Sequence, residues 1–241
     1  MGEIQRSHCQ LNFTDIVNHK GVHKVMNQYQ QLKSVEQYMK DFHQTDHTGH
    51  DINHVMRVVK MALFISEQEG YGNPYIIQMA ALLHDTVDTK LTDETAAENQ
   101  LIDFLNRIEV SGQDQEKIMH IIKNISFRHN ADQEIPLSKE GYIVRDADRL
   151  DAIGAIGIAR TFQFAGHFDE PMWQGPIPDS INSDNELEGY DPSAIKHFYD
   201  KLFKLKDLMH TETASEIAQE RHRFMEFFVA QFFNEWQFTE Q

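Results

Sequence analysis

The sequence predicts an all-α fold built as a single-domain helical bundle, and three observations predict it. Every long periodic segment repeats its apolar residues at three-to-four spacing. No segment alternates apolar and polar residues as a half-exposed strand would, and there is no internal repeat or low-complexity tract. With 241 residues, 40% of them apolar, the chain is long enough to bury a substantial core and short enough for one domain.

The elements follow in order. Residues 1–20 form a polar leader whose composition allows disorder, so the domain is taken to span 21–241. Val22 to Gln44 contains no Gly or Pro and is rich in Gln, Lys, Met and Tyr, which suits a helix. Asp51 can cap a second helix in which Ile52, Val55, Val58 or Val59, Ala62 and Phe64 or Ile65 recur at helical spacing, until Gly70-Tyr71-Gly72-Asn73-Pro74 breaks it. Tyr75 to Asp85 carries Ile76, Ile77, Met79, Ala80, Ala81, Leu82 and Leu83 with almost no polar side, so this helix belongs in the middle of the core. Two amphipathic stretches, Glu94 to Ile108 and Asp114 to Arg128, are separated by the turn signal Ser111-Gly112. After Pro136, the phase set by Tyr142, Ile143, Ala147, Leu150, Ile153 and Ile156 continues to about Phe164. Residues 166–192 hold four of the six prolines and read as a long irregular connection, which in a compact domain is usually functional or disordered. Ala194 to Met209 and Ala214 to Phe238 are expected to close the bundle as two helices, with Thr211-Glu212-Thr213 as the cap region of the second. The Met and Phe residues from Phe224 to Phe233 suit a core stripe or the seam of a homodimer.

Charge and cysteine usage narrow the partners. With 38 acidic and 22 basic residues the formal charge is −16, which repels the backbone of DNA or RNA and excludes a nucleic-acid polymer as partner. A small nucleotide is compatible, because a bound cation and local Lys or Arg dominate the field within roughly 8 Å. The single cysteine, Cys9, allows no intramolecular disulfide, and the polar N-terminal stretch holds no signal-peptide apolar run, so a cytoplasmic location is expected. No run of about 18 apolar residues is present, and no membrane association is expected.

The residues that carry chemistry stand out by context. A lone histidine among 14 is usually a surface or hydrogen-bonded residue. His84 and Asp85, however, sit side by side at the end of the most apolar helix, where unpartnered polar groups would cost several kcal/mol, and a divalent cation would satisfy both. In Arg145-Asp146-Ala147-Asp148-Arg149-Leu150-Asp151, carboxylates crowd a helix whose apolar face is Ile143, Ala147 and Leu150, a density tolerable near a cation or arginines. His54 and Arg57 project from one face of the helix that Asp51 caps. Arg57 and Arg145 could clamp phosphate oxygens bidentately, and Lys90 could add a point charge. For Lys90 and Arg145, a surface ion pair is an equal alternative.

The order His54, then His84-Asp85, then Asp148 resembles the H…HD…D signature of the HD-domain superfamily of metal-dependent phosphohydrolases. Beyond the signature, Gly166-His167 to Pro171-Met172, His197 to Met209 and Arg221-His222-Arg223-Phe224-Met225 resemble the stand-alone bacterial YpgQ/YedJ type, over about residues 22–240. The resemblance implies an HD-type helical bundle with His54, His84, Asp85 and Asp148 as ligands of one divalent metal; Asp148, not Asp146, fits the family's Ala-Asp-Arg-Leu pattern. Manganese is the expected ion, with Ni, Co, Fe, Zn or Mg as alternatives. The implied reaction is hydrolysis of a small nucleotide by a metal-activated water, with (deoxy)nucleoside triphosphate pyrophosphohydrolysis leading. The alternatives are a nucleoside monophosphate 5′-nucleotidase or a nucleotide-binding module with little turnover. Asp88, three residues past Asp85, takes the general acid/base role and Arg57 joins it in the catalytic set; a helix-end carboxylate is the plain alternative for Asp88. A second metal near His129 is not expected.

Overall fold

The computed structural model describes residues 25–44, 51–87, 94–125, 135–178, 180–184 and 187–238. Among these residues there is no strand, and the regular elements are helices: α1 (Gln28–His43), α2 (Ile52–Glu69), α3 (Pro74–Leu83), α4 (Glu94–Arg107), α5 (Gly112–Asn124), α6 (Lys139–Asp151), α7 (Gly154–His167), α8 (Ala194–Asp200), a 3-10 helix (Leu202–Leu208) and α9 (Glu212–Gln237). None of them is long and apolar enough to cross a membrane.

Helix α3 lies where its composition puts it. It packs against α1, α2, α5 and α6, and Ile77, Met79, Ala80, Ala81 and Leu83 have no exposed surface. Burying each of the larger three side chains contributes about 1.5–3 kcal/mol, so this short helix is held by its surroundings more than by its own propensity. Asn73 caps it by accepting from the Tyr75 amide at 3.0 Å, with Pro74 at the first helical position, where its missing N–H costs nothing. Helix α2 packs on α3 and α6, and Asp51 caps it as the sequence suggests, accepting from the His54 amide at 2.8 Å. A second group, α7, α8, the 3-10 helix and α9, joins the first through α7 and α9 on α6 and through α9 on α2.

Several boundaries differ from the sequence reading, among them the end of α5, which stops at Asn124 instead of Arg128. Helix α1 starts at Gln28, where Asn27 and Gln30 form a reciprocal capping box, rather than at Val22. Helix α3 stops at Leu83, and His84 to Val87 form a turn instead of extending the helix. The phase running from Tyr142 to Phe164 is divided into α6 and α7: Gly154 adopts φ +77°, and a Cβ on Gly157 would stand 2.2 Å from the Ala152 carbonyl oxygen. These two glycines permit a sharp corner that apolar periodicity alone does not register. The expected helix from Ala194 to Met209 gives way at Lys201 (φ −138°, ψ −56°) to the 3-10 helix.

The irregular connection, traced from Phe168 to Ser193 apart from 179 and 185–186, is anchored. Trp173 and Leu187 are buried, with Trp173 edge-on to Phe233 at 5.1 Å, and the Ala194 and Ile195 amides donate to Pro171 O and Met172 O. The Phe stripe of α9 divides by face. Phe228 and Phe232 pack on Phe162, while Phe224 and Phe227 are exposed.

Candidate metal centre

Three helix ends deliver the site. His54 comes from the first turn of α2, His84 and Asp85 from the turn after α3, and Asp148 from the last turn of α6. His54 is fully buried; Asp85 and Asp148 keep 15% and 32% of their side chains exposed, so the carboxylates form the solvent-facing side of the cluster. The two imidazole Nε2 atoms are 3.2 Å apart. Asp85 Oδ2 lies 3.3 Å from each of them, and Asp148 Oδ1 lies 3.6 Å from His54 Nε2 and 3.7 Å from His84 Nε2.

The far ring nitrogens define the chemistry of the near ones. His84 Nδ1 is 2.8 Å from Ala81 O, which can only accept, so Nδ1 carries the proton. His54 Nδ1 is 2.8 Å from the Asp151 carboxylate and likewise donates. In the neutral rings, two Nε2 lone pairs therefore face each other across 3.2 Å with two carboxylates alongside, an arrangement that needs a positive charge between them. A proton can supply it, and so can a cation. His54, His84 and Asp85 offer donor atoms all within 4.8 Å of one another, and two imidazoles with carboxylates suit a divalent transition metal.

Without a cation the electrostatics respond as this geometry requires. Burial pushes His54 and His84 down, but Asp151 and Asp85 for the first, and Asp85 and Asp148 for the second, lift both above the usual imidazole range. Burial pushes the Asp148 carboxyl up, yet the neighbouring imidazoles bring it down to about 2. Asp151 is held well below the usual carboxylate range; burial raises it, and Arg57, His54 and Arg160 more than offset that.

The remaining sequence candidates fall elsewhere. Arg57 spends its fork on a protein carboxylate: Nε donates to Asp151 Oδ1 at 2.7 Å and Nη2 to Asp151 Oδ2 at 2.9 Å. The reading of Arg145 as a phosphate clamp is corrected, because the side chain is fully buried, donates from Nη2 to Asn124 O at 2.7 Å and Ile135 O at 3.3 Å, and lies over the Tyr142 ring. Asp146 also turns away, accepting from His210 and Thr211 at the start of α9. Asp88, Lys90 and His129 lie outside the described residues. Sequence reasoning missed Asp151 and Arg160, whose Nη1 donates to Asp151 Oδ2 at 2.9 Å. The only signal was the spacing of Asp151 one turn beyond Asp148.

A helical body that brings two imidazole lone pairs and Asp85 to one point, with Asp148 beside the imidazoles, fits a metal-dependent phosphohydrolase. Comparisons with known proteins agree. The HD domain family model matches residues 51–153. The Bacillus subtilis protein YpgQ is 39% identical over 208 residues, covering 86% of this chain and 94% of YpgQ. An HD-superfamily hydrolase from Bacillus thuringiensis is 40% identical with a TM-score of 0.68, over 88% of this chain and 99% of that one. The crystal structure of YpgQ in complex with ADP aligns with a TM-score of 0.67 and 36% identity, over 86% of this chain and 96% of that one. The chain belongs to the HD-domain superfamily.

Proposed function

We propose that the protein hydrolyses a small nucleotide, and that the reaction is pyrophosphohydrolysis of a (deoxy)nucleoside triphosphate in the cytoplasm with manganese as the ion. The observation that carries the hydrolytic reading is the pair of opposed Nε2 lone pairs 3.2 Å apart beside Asp85 and Asp148. The nucleotide is supported by the ADP bound to YpgQ.

His54, His84, Asp85 and Asp148 hold the cation, the imidazoles with their lone pairs fixed forward by Asp151 and Ala81 O. When bound, the ion acidifies an attacking water and polarises a phosphoryl oxygen. Arg57, anchored through Nε and Nη2, keeps Nη1 for a phosphate oxygen, and Lys90 adds charge to the same substrate. Asp88 moves the proton between water and leaving oxygen. The exposed edges of Asp85 and Asp148 give substrate its approach, and the buried imidazoles keep bulk water from behind the site.

The test is a screen of nucleoside mono-, di- and triphosphates, ribo and deoxy, with Mn, Ni, Co, Zn or Mg, measuring phosphate and pyrophosphate separately. Pyrophosphate from triphosphates is expected. Orthophosphate from monophosphates alone would make the protein a 5′-nucleotidase, and tight binding without product would make it a nucleotide-binding module.

A further inference from the structure

We infer that Asp151 is a positioning residue for the metal centre: clamped by two arginines, it holds the His54 ring so that Nε2 presents its lone pair to the cation. This rests on the metal-binding reading of the cluster given above.

The geometry behind the inference is a saturated node. Asp151 is 1% exposed, and its carboxylate receives four donors: His54 Nδ1 at 2.8 Å, Arg57 Nε and Nη2 at 2.7 and 2.9 Å, and Arg160 Nη1 at 2.9 Å. Both oxygens are engaged, three donors on Oδ2 and one on Oδ1, so the carboxylate cannot rotate without breaking these bonds. The donors arrive from different elements, His54 and Arg57 from α2 and Arg160 from α7, and they meet at the end of α6. Arg160 also reaches the Asp151 carbonyl at 3.3 Å, and Arg221 of α9 donates to the Leu150 carbonyl, so the end of α6 is pinned from two sides.

Burying such a node has a desolvation cost that a well-packed apolar cluster would avoid, so packing alone does not account for it. What the node supplies is control of one proton. A neutral imidazole has two tautomers, and the partner of one nitrogen decides which is present. With Asp151 accepting at Nδ1, only Nε2 can face Asp85 and Asp148 with a lone pair. The two arginines keep the carboxylate ionised and stationary while it does so.

Two substitutions grade the effect. Three of the four donors share Oδ2, so the amide of Asp151→Asn will seat its oxygen there, keeping an uncharged acceptor for His54 and leaving Arg57 Nε facing an NH2 group. Asp151→Leu keeps the branched skeleton, with methyl groups bulkier than the oxygens, and removes the acceptor. Titration of Mn2+ into the metal-free full-length protein, with folding checked by circular dichroism, should show Kd weaker by roughly 10-fold for Asp151→Asn and roughly 100-fold for Asp151→Leu. In the metal-free proteins, at a pH high enough for the imidazoles to be neutral, 1H–15N spectra should show His54 protonated at Nδ1 in the wild type and in Asp151→Asn, and a mixture of tautomers in Asp151→Leu. A folded Asp151→Leu protein with unchanged Mn2+ affinity and a single Nδ1–H tautomer would overturn the inference. If that variant does not fold, an unchanged Kd in Asp151→Asn would do the same. A wild type that binds no divalent ion would sink the metal-binding reading itself, a different failure from equal affinity across the series.

Discussion

Asp146 and Asp148 stand two residues apart in one helix, and exchanging their roles is the sharpest challenge to the site described above. Asp146 is fully buried and accepts from the His210 amide at 2.9 Å, the His210 ring at 2.9 Å, and the Thr211 amide and hydroxyl at 2.8 Å each. It therefore closes the first turn of α9 onto α6. Asp146→Ala strands these donors, and since an unsatisfied buried donor costs about 1–3 kcal/mol and such losses do not add, a total of about 3–5 kcal/mol is expected. For a chain of this size the melting temperature should fall by roughly 10 °C. Asp148→Ala removes a carboxylate that is one-third exposed and that faces the two imidazoles, so its effect should be read in the metal. Manganese at 100 times its Kd stabilises the wild type by about 2.7 kcal/mol relative to chelated protein. Calorimetry with Mn2+ or with chelator then separates the two: Asp146→Ala melts low but keeps the full metal-dependent shift, and Asp148→Ala loses the shift. A folded Asp146→Ala protein without the shift, or an Asp148→Ala protein that retains it, would refute the assignment.

Two further expectations follow from the geometry and one from the family resemblance. In metal-free protein both imidazoles titrate above the usual value, so the stability they lend is complete below about pH 6.5 and is lost as pH rises through the raised values; a cation must displace those protons. The Mn2+-induced rise in Tm should accordingly shrink as pH is lowered toward 6, and a shift that grows on acidification would contradict it. Arg145→Met should lower stability by about 2–4 kcal/mol and leave KM within about twofold, because the guanidinium serves Asn124 O and Ile135 O and no substrate; a large rise in KM in a folded variant would restore the clamp. Asp88→Asn should reduce kcat by about 10²- to 10⁴-fold with metal content unchanged, measured by steady-state kinetics and metal analysis, and near-normal kcat would remove Asp88 from proton transfer.

The sequence made the helices legible wherever burial follows a period. Helix α3 is apolar on every side and lies in the core; α2 begins at the Asp51 cap and ends at Gly70, both visible in one dimension. The corner between α6 and α7 was hidden, because Ile153 and Ile156 keep the apolar phase while Gly154 and Gly157 change the backbone's direction. At the site, an apolar run and an N-cap draw attention to His84, Asp85 and His54, and the resemblance to the HD signature adds Asp148 and groups the four. Neither reaches Asp151 and Arg160. Their meeting with His54 depends on how α2, α6 and α7 cross, and nothing in a string of residues distinguishes an aspartate at that crossing from one on the surface. Arg57 and Arg145 show the same limit: both are cations near site residues in sequence, and only packing gives one a carboxylate and the other two carbonyls.

Arg145 has a consequence for how this enzyme can change over evolutionary time. Its guanidinium ties Asn124, at the end of α5, to Ile135, ahead of α6. A tie of this kind fixes the separation of its two ends whatever the length of chain between them, and doubling that length adds only about 0.6 kcal/mol of closure entropy. Changes of length between positions 124 and 135 can therefore be sampled with little strain on the helix that carries Asp148.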